Sequence, residues 1–141
     1  MDLKLNNKTA LITGASKGIG SGISETFASE GVNLFLTARS ENELKDLKNK
    51  LIDLYRVKVE IIPLDITEPQ SSSILVENCK NIDFLINNAG DIPSGSLFDV
   101  NEDSWRKGWE LKVFGYINMC RAFYPILKKN GGGVIVNNIG N

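Results

Sequence analysis

A glycine-rich turn between a predicted strand and a predicted helix constrains the fold of this chain more than any other feature. The apolar run Thr9–Ile12 precedes the turn, and Ile19, Ile23 and Phe27 follow it at the four-residue spacing of one helix face. Glycine permits a sharp backbone turn and leaves no Cβ between the main chain and a bound group. The helix that follows presents unpaired N–H groups and a partial positive charge. The sequence therefore predicts a corner that binds phosphate groups.

The spacing of the glycines narrows the kind of phosphate site. Gly14, Gly18 and Gly20 form the pattern G-x-x-x-G-x-G, whereas the common dinucleotide pattern is G-x-G-x-x-G. A mononucleotide P-loop would end in Gly-Lys-Ser or Gly-Lys-Thr, and here Lys17 instead precedes Gly18. The alternative is a corner in which the glycines serve the backbone alone.

Length and composition indicate a single globular domain over residues 1–141. The formal charge of −1 gives no electrostatic case for nucleic acid or an anionic membrane, and we expect neither as a partner. No apolar run approaches the roughly 20 residues that span a bilayer. Cys79 and Cys120 are isolated, which favours reduced thiols in a cytoplasmic protein. The chain has no His, which excludes Ser-His-Asp hydrolysis and disfavours a zinc site.

Strands and helices alternate along the chain. Strands are predicted near 9–13, 32–37, 58–62, 82–86 and 133–138, and helices near 18–30, 41–55, 69–79 and 103–129. Such alternation predicts an α/β fold, a Rossmann-like doubly wound parallel sheet covered by helices on both faces. Right-handed crossovers give the strand order 3-2-1-4-5.

Local signals mark the starts and faces of two helices. Ser40 and Glu43 form the capping-box pattern at the start of the second helix. Thr67 and Pro69 suit the start of the third helix. A buried stripe on the second helix is predicted to comprise Leu44, Leu47, Leu51 and Leu54.

The end of the second strand bears on the choice of dinucleotide. A Rossmann unit that binds NAD usually has an acidic side chain there, which bonds the ribose 2′-hydroxyl. This chain has Arg39 instead, between Ala38 and Ser40. A cation accommodates a 2′-phosphate, so the sequence favours NADP, with NAD as the alternative. Lys17 would add a second cation, unless both are solvated surface charges.

Three motifs together resemble the short-chain dehydrogenase/reductase family, in its short single-domain branch. They are the glycine turn, Leu64–Thr67 after the third strand, and Asn87-Asn88-Ala89-Gly90 after the fourth. The resemblance covers essentially the whole chain. It implies an NADP-preferring oxidoreductase that interconverts a small-molecule carbonyl and a secondary alcohol by hydride transfer.

The resemblance implies a role for each motif in cofactor binding. Asp65 would bond the adenine amino group, with Ile66 beside the ring. The turn after the fourth strand would line the adenine ribose, with Asn87 also bonding neighbouring main chain, although an Asx turn would explain these residues too. Ile19 would approach the nicotinamide half. The implied cofactor-binding residues are Gly14, Ser16, Lys17, Gly18, Ile19, Gly20, Arg39, Asp65, Ile66, Asn87, Ala89 and Gly90.

The catalytic residues depart from the family pattern, which is an Asn-Ser-Tyr-Lys set. Alignment on the resemblance puts Lys112 at the Asn position, and Ile139 and Gly140 at the usual Ser pair. The Tyr and Lys would follow further along, so we expect this chain to be the N-terminal portion of a longer enzyme and inactive alone. Tyr124 and Lys128 have the Tyr-x-x-x-Lys spacing but precede the fifth strand, and we interpret them as coincidental.

Two alternatives follow from these departures. The protein would be a dinucleotide-binding protein without catalysis, or a family member in which Lys112 replaces the Asn as a proton relay.

The helix at 103–129 is expected to form a homodimer or homotetramer, as in the family, unless its apolar residues belong to the core alone. Those residues are Trp105, Trp109, Val113, Tyr116, Met119 and Phe123.

Overall fold

A computed structural model describes residues 3–139 as a five-stranded parallel sheet with helices on both faces. The order β3-β2-β1-β4-β5 confirms the predicted topology. The strands are β1 Thr9–Thr13, β2 Asn33–Ala38, β3 Val59–Pro63, β4 Phe84–Asn87 and β5 Val134–Asn137. The helices are α1 Gly18–Ser29, α2 Glu41–Tyr55, α3 Ser71–Asn78, α4 Glu102–Trp109 and α5 Tyr116–Lys129, with a π-helical segment Glu110–Gly115 between the last two.

The core has two halves, one on each face of the sheet. Successive residues of β1 alternate between them: Ala10 and Ile12 pack with α1 and α2, and Leu11 packs with α3 and α5. This alternation explains why the central strands are apolar throughout, because both of their faces are covered. Among the described helices none is both long and apolar enough to cross a membrane.

Two predictions at α2 are wrong in detail. Ser40 precedes the helix, but its side chain makes no capping hydrogen bond, so the predicted capping box does not form. Glu41 and Glu43 instead place negative charge in the first turn, where it favours the helix electrostatically. Leu54 is 59% exposed, because the buried stripe already ends at Leu51.

The helix α3 starts later than Thr67 and Pro69 suggest. A turn comes first, in which Asp65 Oδ1 accepts hydrogen bonds from the backbone N–H of Thr67 at 2.9 Å and from its hydroxyl at 2.8 Å. The Ser71 hydroxyl then donates to the carbonyl oxygen of Asp65. These bonds hold the backbone in an Asx turn, and the helix begins only at Ser71.

The long helix predicted at 103–129 consists of α4, the π-helical segment and α5 in direct succession. The face of α5 toward the sheet is buried at Tyr116, Met119 and Phe123. Trp109, the last residue of α4, is 55% exposed. The six apolar residues therefore divide between core and surface, and assembly through this helix stays a prediction.

Candidate functional site

A cleft of about 480 Å³ lies at the carboxyl edge of the sheet. It opens where β1 has β2 on one side and β4 on the other, so that the connections leave in opposite directions. Ligands bind at this switch point in open parallel sheets. Of the residues predicted to bind the cofactor, the cleft wall contains Gly14, Ser16, Lys17, Gly18, Ile19, Arg39, Asp65, Ile66, Ala89 and Gly90. Gly20 and Asn87 do not line it.

Each glycine of the turn is required for a different structural reason. Gly14 has φ +63°, and a Cβ there would lie 2.6 Å from Ala89 Cα. A Cβ on Gly20 would lie 2.0 Å from the carbonyl oxygen of Gly14, so glycine at this position allows α1 to pack directly against the turn. Gly18 has φ +58°, and a Cβ there would meet no described atom within 4 Å. The turn thus packs tightly on the protein side and leaves open space at Gly18, which begins α1.

A polar network joins the turn to the ends of β4 and β5. The backbone N–H groups of Asn88 and Ala89 donate to Thr13 Oγ1 at 3.0 and 3.1 Å. The Asn88 side-chain amide donates to the carbonyl oxygens of Thr13 and Gly14, each at 3.3 Å. Asn138 Nδ2 in turn donates to Asn88 Oδ1 at 2.9 Å. The network fixes the positions of three strand ends around the cleft.

Asn88 and Asn138 line the cleft, although the sequence reasoning did not include them in the site. A signal was available in the sequence. The Asn-Asn pairs at 87–88 and 137–138 end two strands, and the register of β4 and β5 sets Asn87 opposite Asn137. Recognising it requires knowing that these two strands are neighbours.

Asn87 is buried at the end of β4 and does not line the cleft. Its Nδ2 donates to Asn137 Oδ1 at 2.8 Å and contacts Cys120 Sγ at 3.4 Å. The expected bond from its side chain to neighbouring main chain is absent from the described residues, because the register of β4 and β5 sets the Asn137 amide beside it instead. Its Oδ1 is buried without a hydrogen-bond partner in residues 3–139.

Two of the cations on the cleft wall, Lys17 and Arg39, lie beside the glycine turn and the end of β2. Lys17 occupies the N-cap position of α1, and Arg39 follows the end of β2. Arg39 Nη2 lies 3.4 Å from Asp91 Oδ2, in the loop after β4, and the two side chains are 67% and 71% exposed. An ion pair this exposed contributes at most about 1 kcal/mol, so the guanidinium can exchange it for another anion.

Asp65 and Ile66 follow β3 on the same edge. Oδ1 of Asp65 is engaged in the Asx turn with Thr67, which fixes the direction of the carboxylate. Ile66 is 7% exposed and packs near the π-helical segment, where a Cβ on Gly115 would lie 3.2 Å from Ile66 Cδ1. The two residues therefore give the cleft one oriented carboxylate beside an apolar wall.

Lys112 reaches the cleft from the π-helical segment. Its Nζ lies 5.2 Å from the centre of the Tyr116 ring, a cation–π distance. A Cβ on Gly90 would lie 3.2 Å from the same nitrogen, so glycine leaves room for the ammonium. Partial burial lowers the pKa of Lys112 from its ordinary value. Irregular π-helical turns often occur at functional sites, and this one carries a cation to the cleft.

The other catalytic positions are distributed as follows. Ile139 is 74% exposed, and Gly140 lies outside the described residues. Tyr124 is 61% exposed on α5, and neither it nor Lys128 lines the cleft. In the part of the chain that the structure describes, no cluster of three or more His, Cys, Asp or Glu could hold a metal ion.

Tyr116 connects Lys112 to the end of β5. Its hydroxyl donates to the carbonyl oxygen of Asn138 at 3.1 Å, and burial raises the pKa of the phenol to about 12. The folded pKa exceeds the ordinary value of 10.0, so folding favours the protonated phenol. Its contribution to stability is complete below pH 10 and is lost as pH rises toward 12.

Replacing Tyr116 by phenylalanine is therefore expected to lower the free energy of unfolding at pH 7 by about 1 kcal/mol, through the lost hydrogen bond. The same variant should lose less stability than the unsubstituted protein between pH 10 and 12. Urea unfolding across this pH range measures both effects. The control is Tyr124→Phe, since that ring is exposed. Equal alkaline curves for the protein and Tyr116→Phe would contradict the assignment.

The arrangement suits an extended ligand with several phosphate groups. The open space at Gly18 and the N-terminus of α1 fit a diphosphate, because backbone N–H groups there have no helical partners. Arg39 and Lys17 add positive charge beside it. Asp65 adds an acceptor that suits an amino group. The residues present thus fit a dinucleotide.

The chain matches one family model, described as short chain dehydrogenase, over residues 8–139. An uncharacterized oxidoreductase of Staphylococcus saprophyticus is 32% identical over 139 residues, which cover 96% of this chain and 59% of the relative. The oxidoreductase UcpA of Escherichia coli is 34% identical over 142 residues, with coverage of 96% and 53%. The chain thus spans between half and three fifths of the length of these curated relatives.

Solved structures show the same fold. L-sorbose reductase from Gluconobacter frateurii, complexed with NADPH and L-sorbose, has a TM-score of 0.89 at 32% identity, covering 96% of this chain and 53% of that one. A short-chain dehydrogenase from Sphingobium yanoikuyae in complex with NADPH has a TM-score of 0.83 at 33% identity, covering 91% and 51%.

Proposed function

The chain belongs to the short chain dehydrogenase family, and on this basis we propose that the protein is an NADP-preferring oxidoreductase. The reaction is the interconversion of a small-molecule carbonyl and a secondary alcohol. One observation carries the cofactor preference: Arg39 lies on the cleft wall at the end of β2, where a carboxylate would favour NAD. The similarity to two NADPH-bound proteins supports it.

The glycine turn holds the diphosphate in this proposal. Gly18 leaves room for close approach of the main chain, and the N-terminus of α1 supplies N–H donors and positive potential. Arg39 binds the 2′-phosphate through charge-assisted hydrogen bonds, and Lys17 adds longer-range attraction. Ser16 and Ile19 complete this part of the wall.

The ends of β3 and β4 hold the adenosine half. Asp65, oriented by its Asx turn, accepts a hydrogen bond from the adenine amino group, and Ile66 packs beside the ring. Ala89 and Gly90 face the ribose. Their small or absent side chains leave room for it in this part of the cleft. Asn88 keeps this wall in register with the glycine turn.

NADPH supplies the hydride when bound, and the residues of this chain handle the proton. Lys112 lies on the cleft wall with a lowered pKa, which makes its ammonium a better proton donor than an exposed lysine. The neighbouring Gly90 has no side chain that would crowd the nitrogen. We propose that it passes a proton between the cleft and solvent, in the place where the family has Asn.

Replacing Lys112 by methionine keeps most of the apolar stem and removes the amine. In the intact enzyme, we expect kcat for carbonyl reduction to fall by about 100-fold, the low end for a lost proton-transfer group. The dissociation constant of NADPH should change less than about threefold, since the diphosphate and 2′-phosphate contacts lie elsewhere on the wall. Steady-state kinetics and fluorescence titration measure the two quantities. An unchanged kcat would contradict the relay.

A second candidate is a dinucleotide-binding protein without redox activity. Lys112 and Gly140 favour it, because the resemblance puts them at positions where the family has Asn and the catalytic Ser. The discriminating experiment incubates the intact protein with NADPH and a panel of ketones and aldehydes, and monitors the loss of the reduced cofactor. Turnover of any carbonyl supports the oxidoreductase, whereas NADPH binding without turnover across the panel favours the second candidate.

We also propose a cytoplasmic homodimer or homotetramer that assembles through the helical residues 103–129. The support is the apolar outer face of this helix. Trp109 is 55% exposed, Phe114 49%, Ile117 44% and Tyr124 61%. Apolar patches of this kind mark interfaces. Light scattering reports the mass, and a monomer at micromolar concentration would contradict the proposal.

A further inference from the structure

A second recess, of about 340 Å³, adjoins the main cleft. Arg39, Asp65 and Leu111 line both spaces, so Arg39 stands on the ridge between them. Asp91 lines the second recess but not the main cleft. Its carboxylate pairs with the Arg39 guanidinium at 3.4 Å. The guanidinium is thus held by a carboxylate that arrives from the loop after β4.

The charges around the second recess do not suit an anionic ligand. The recess is lined by the carboxylates of Asp65, Asp91 and Glu110 and by the cations of Arg39 and Lys107, so negative charges outnumber positive ones. A phosphate group would therefore meet Arg39 from the main cleft, where the glycine turn and Lys17 lie. To bind there, it must draw the guanidinium away from Asp91 or share it.

We propose that Asp91 is a specificity-determining residue that competes with the 2′-phosphate of NADPH for Arg39, an inference that rests on the proposed function. Both partners of the pair are mostly exposed, so the competition is modest and reversible. The phosphate prevails because its bonds to a guanidinium are bidentate and carry more charge. NADH has no 2′-phosphate and leaves the pair intact. Asp91 therefore weakens the binding of NADPH only, and it lowers the selectivity for NADPH over NADH.

The test is Asp91→Asn, which removes the charge and keeps the shape of the side chain. We expect the dissociation constant of NADPH to fall by about three- to fivefold, because an exposed ion pair is worth at most about fivefold in affinity. The constant for NADH should change less than about twofold. Asp91→Ser provides a second uncharged variant, and Asp53→Asn, an exposed site on α2, controls for net charge.

Titrations with adenosine 2′,5′-bisphosphate and adenosine 5′-monophosphate test the effect of the 2′-phosphate without the nicotinamide half of the cofactor. Asp91→Asn should tighten the bisphosphate alone. In an Arg39→Gln background the gain should disappear, since Asp91 acts through Arg39. Equal changes for both nucleotides, weaker NADPH binding, or a gain that persists without Arg39 would each overturn the proposal. If the unsubstituted protein binds neither NADPH nor NADH, the proposed function fails as well. If NADPH binding depends on Arg39 and not on Asp91, this inference alone fails.

Discussion

Replacing Gly20 by alanine is expected to abolish tight NADPH binding and to lower the free energy of unfolding by about 2–3 kcal/mol. The added Cβ would lie 2.0 Å from the carbonyl oxygen of Gly14 and 2.7 Å from Asn88 Nδ2. Neither neighbour can yield cheaply, because one is backbone and the other bonds the carbonyl oxygens of Thr13 and Gly14. Relief of the clash must displace the turn that would hold the diphosphate. Urea unfolding and NADPH fluorescence titration measure the two effects.

Gly22→Ala is the matched control for this variant. Gly22 lies two residues further along α1, and a Cβ there would meet no described atom within 4 Å. Alanine should leave NADPH binding unchanged and raise the free energy of unfolding by up to about 1 kcal/mol, the difference in helix propensity. Wild-type NADPH affinity in Gly20→Ala would show that the geometry of the turn does not determine binding.

Replacing Arg39 by aspartate is expected to weaken NADPH binding by about 100-fold and to change NADH binding by less than about threefold. A hydrogen bond between charged groups contributes about 1.5–3 kcal/mol, which corresponds to roughly 10- to 150-fold in affinity. The new carboxylate also repels the 2′-phosphate, and NADH lacks that group. Titrations of the variant with both nucleotides measure the selectivity.

Arg121→Asp makes the same change in charge at an exposed site on α5 that does not line the cleft. It should leave both dissociation constants within about twofold of the unsubstituted values. Equal losses of NADPH and NADH affinity in Arg39→Asp would mean that Arg39 stabilises the site in general and does not recognise the 2′-phosphate.

Features with a local or periodic signal could be predicted from the sequence. Strand and helix alternation gave the sheet order, because right-handed crossovers leave few topologies. Three site features each follow a predicted strand: the turn with Gly14 and Gly18, the cation Arg39, and the carboxylate Asp65. Parallel strands end at the same edge, so these residues had to meet there.

Features that depend on a particular three-dimensional contact could not be predicted. The bond from Asn138 to Asn88 requires the register of β4 and β5, and the pair of Arg39 with Asp91 requires the path of a loop. Ser40 has the right residue type for a cap, yet its side chain makes no capping bond. The π-helical segment has no clear sequence signature, although it brings Lys112 to the cleft.

The central proposal is that this cleft binds NADP in preference to NAD. Parallel titrations of the purified protein with NADPH and NADH, at one fixed salt concentration, test it most directly. We expect NADPH to bind at least about tenfold more tightly, the contribution of one charge-assisted phosphate contact. Equal affinities, or tighter binding of NADH, would contradict the role of Arg39 and with it the proposed cofactor preference.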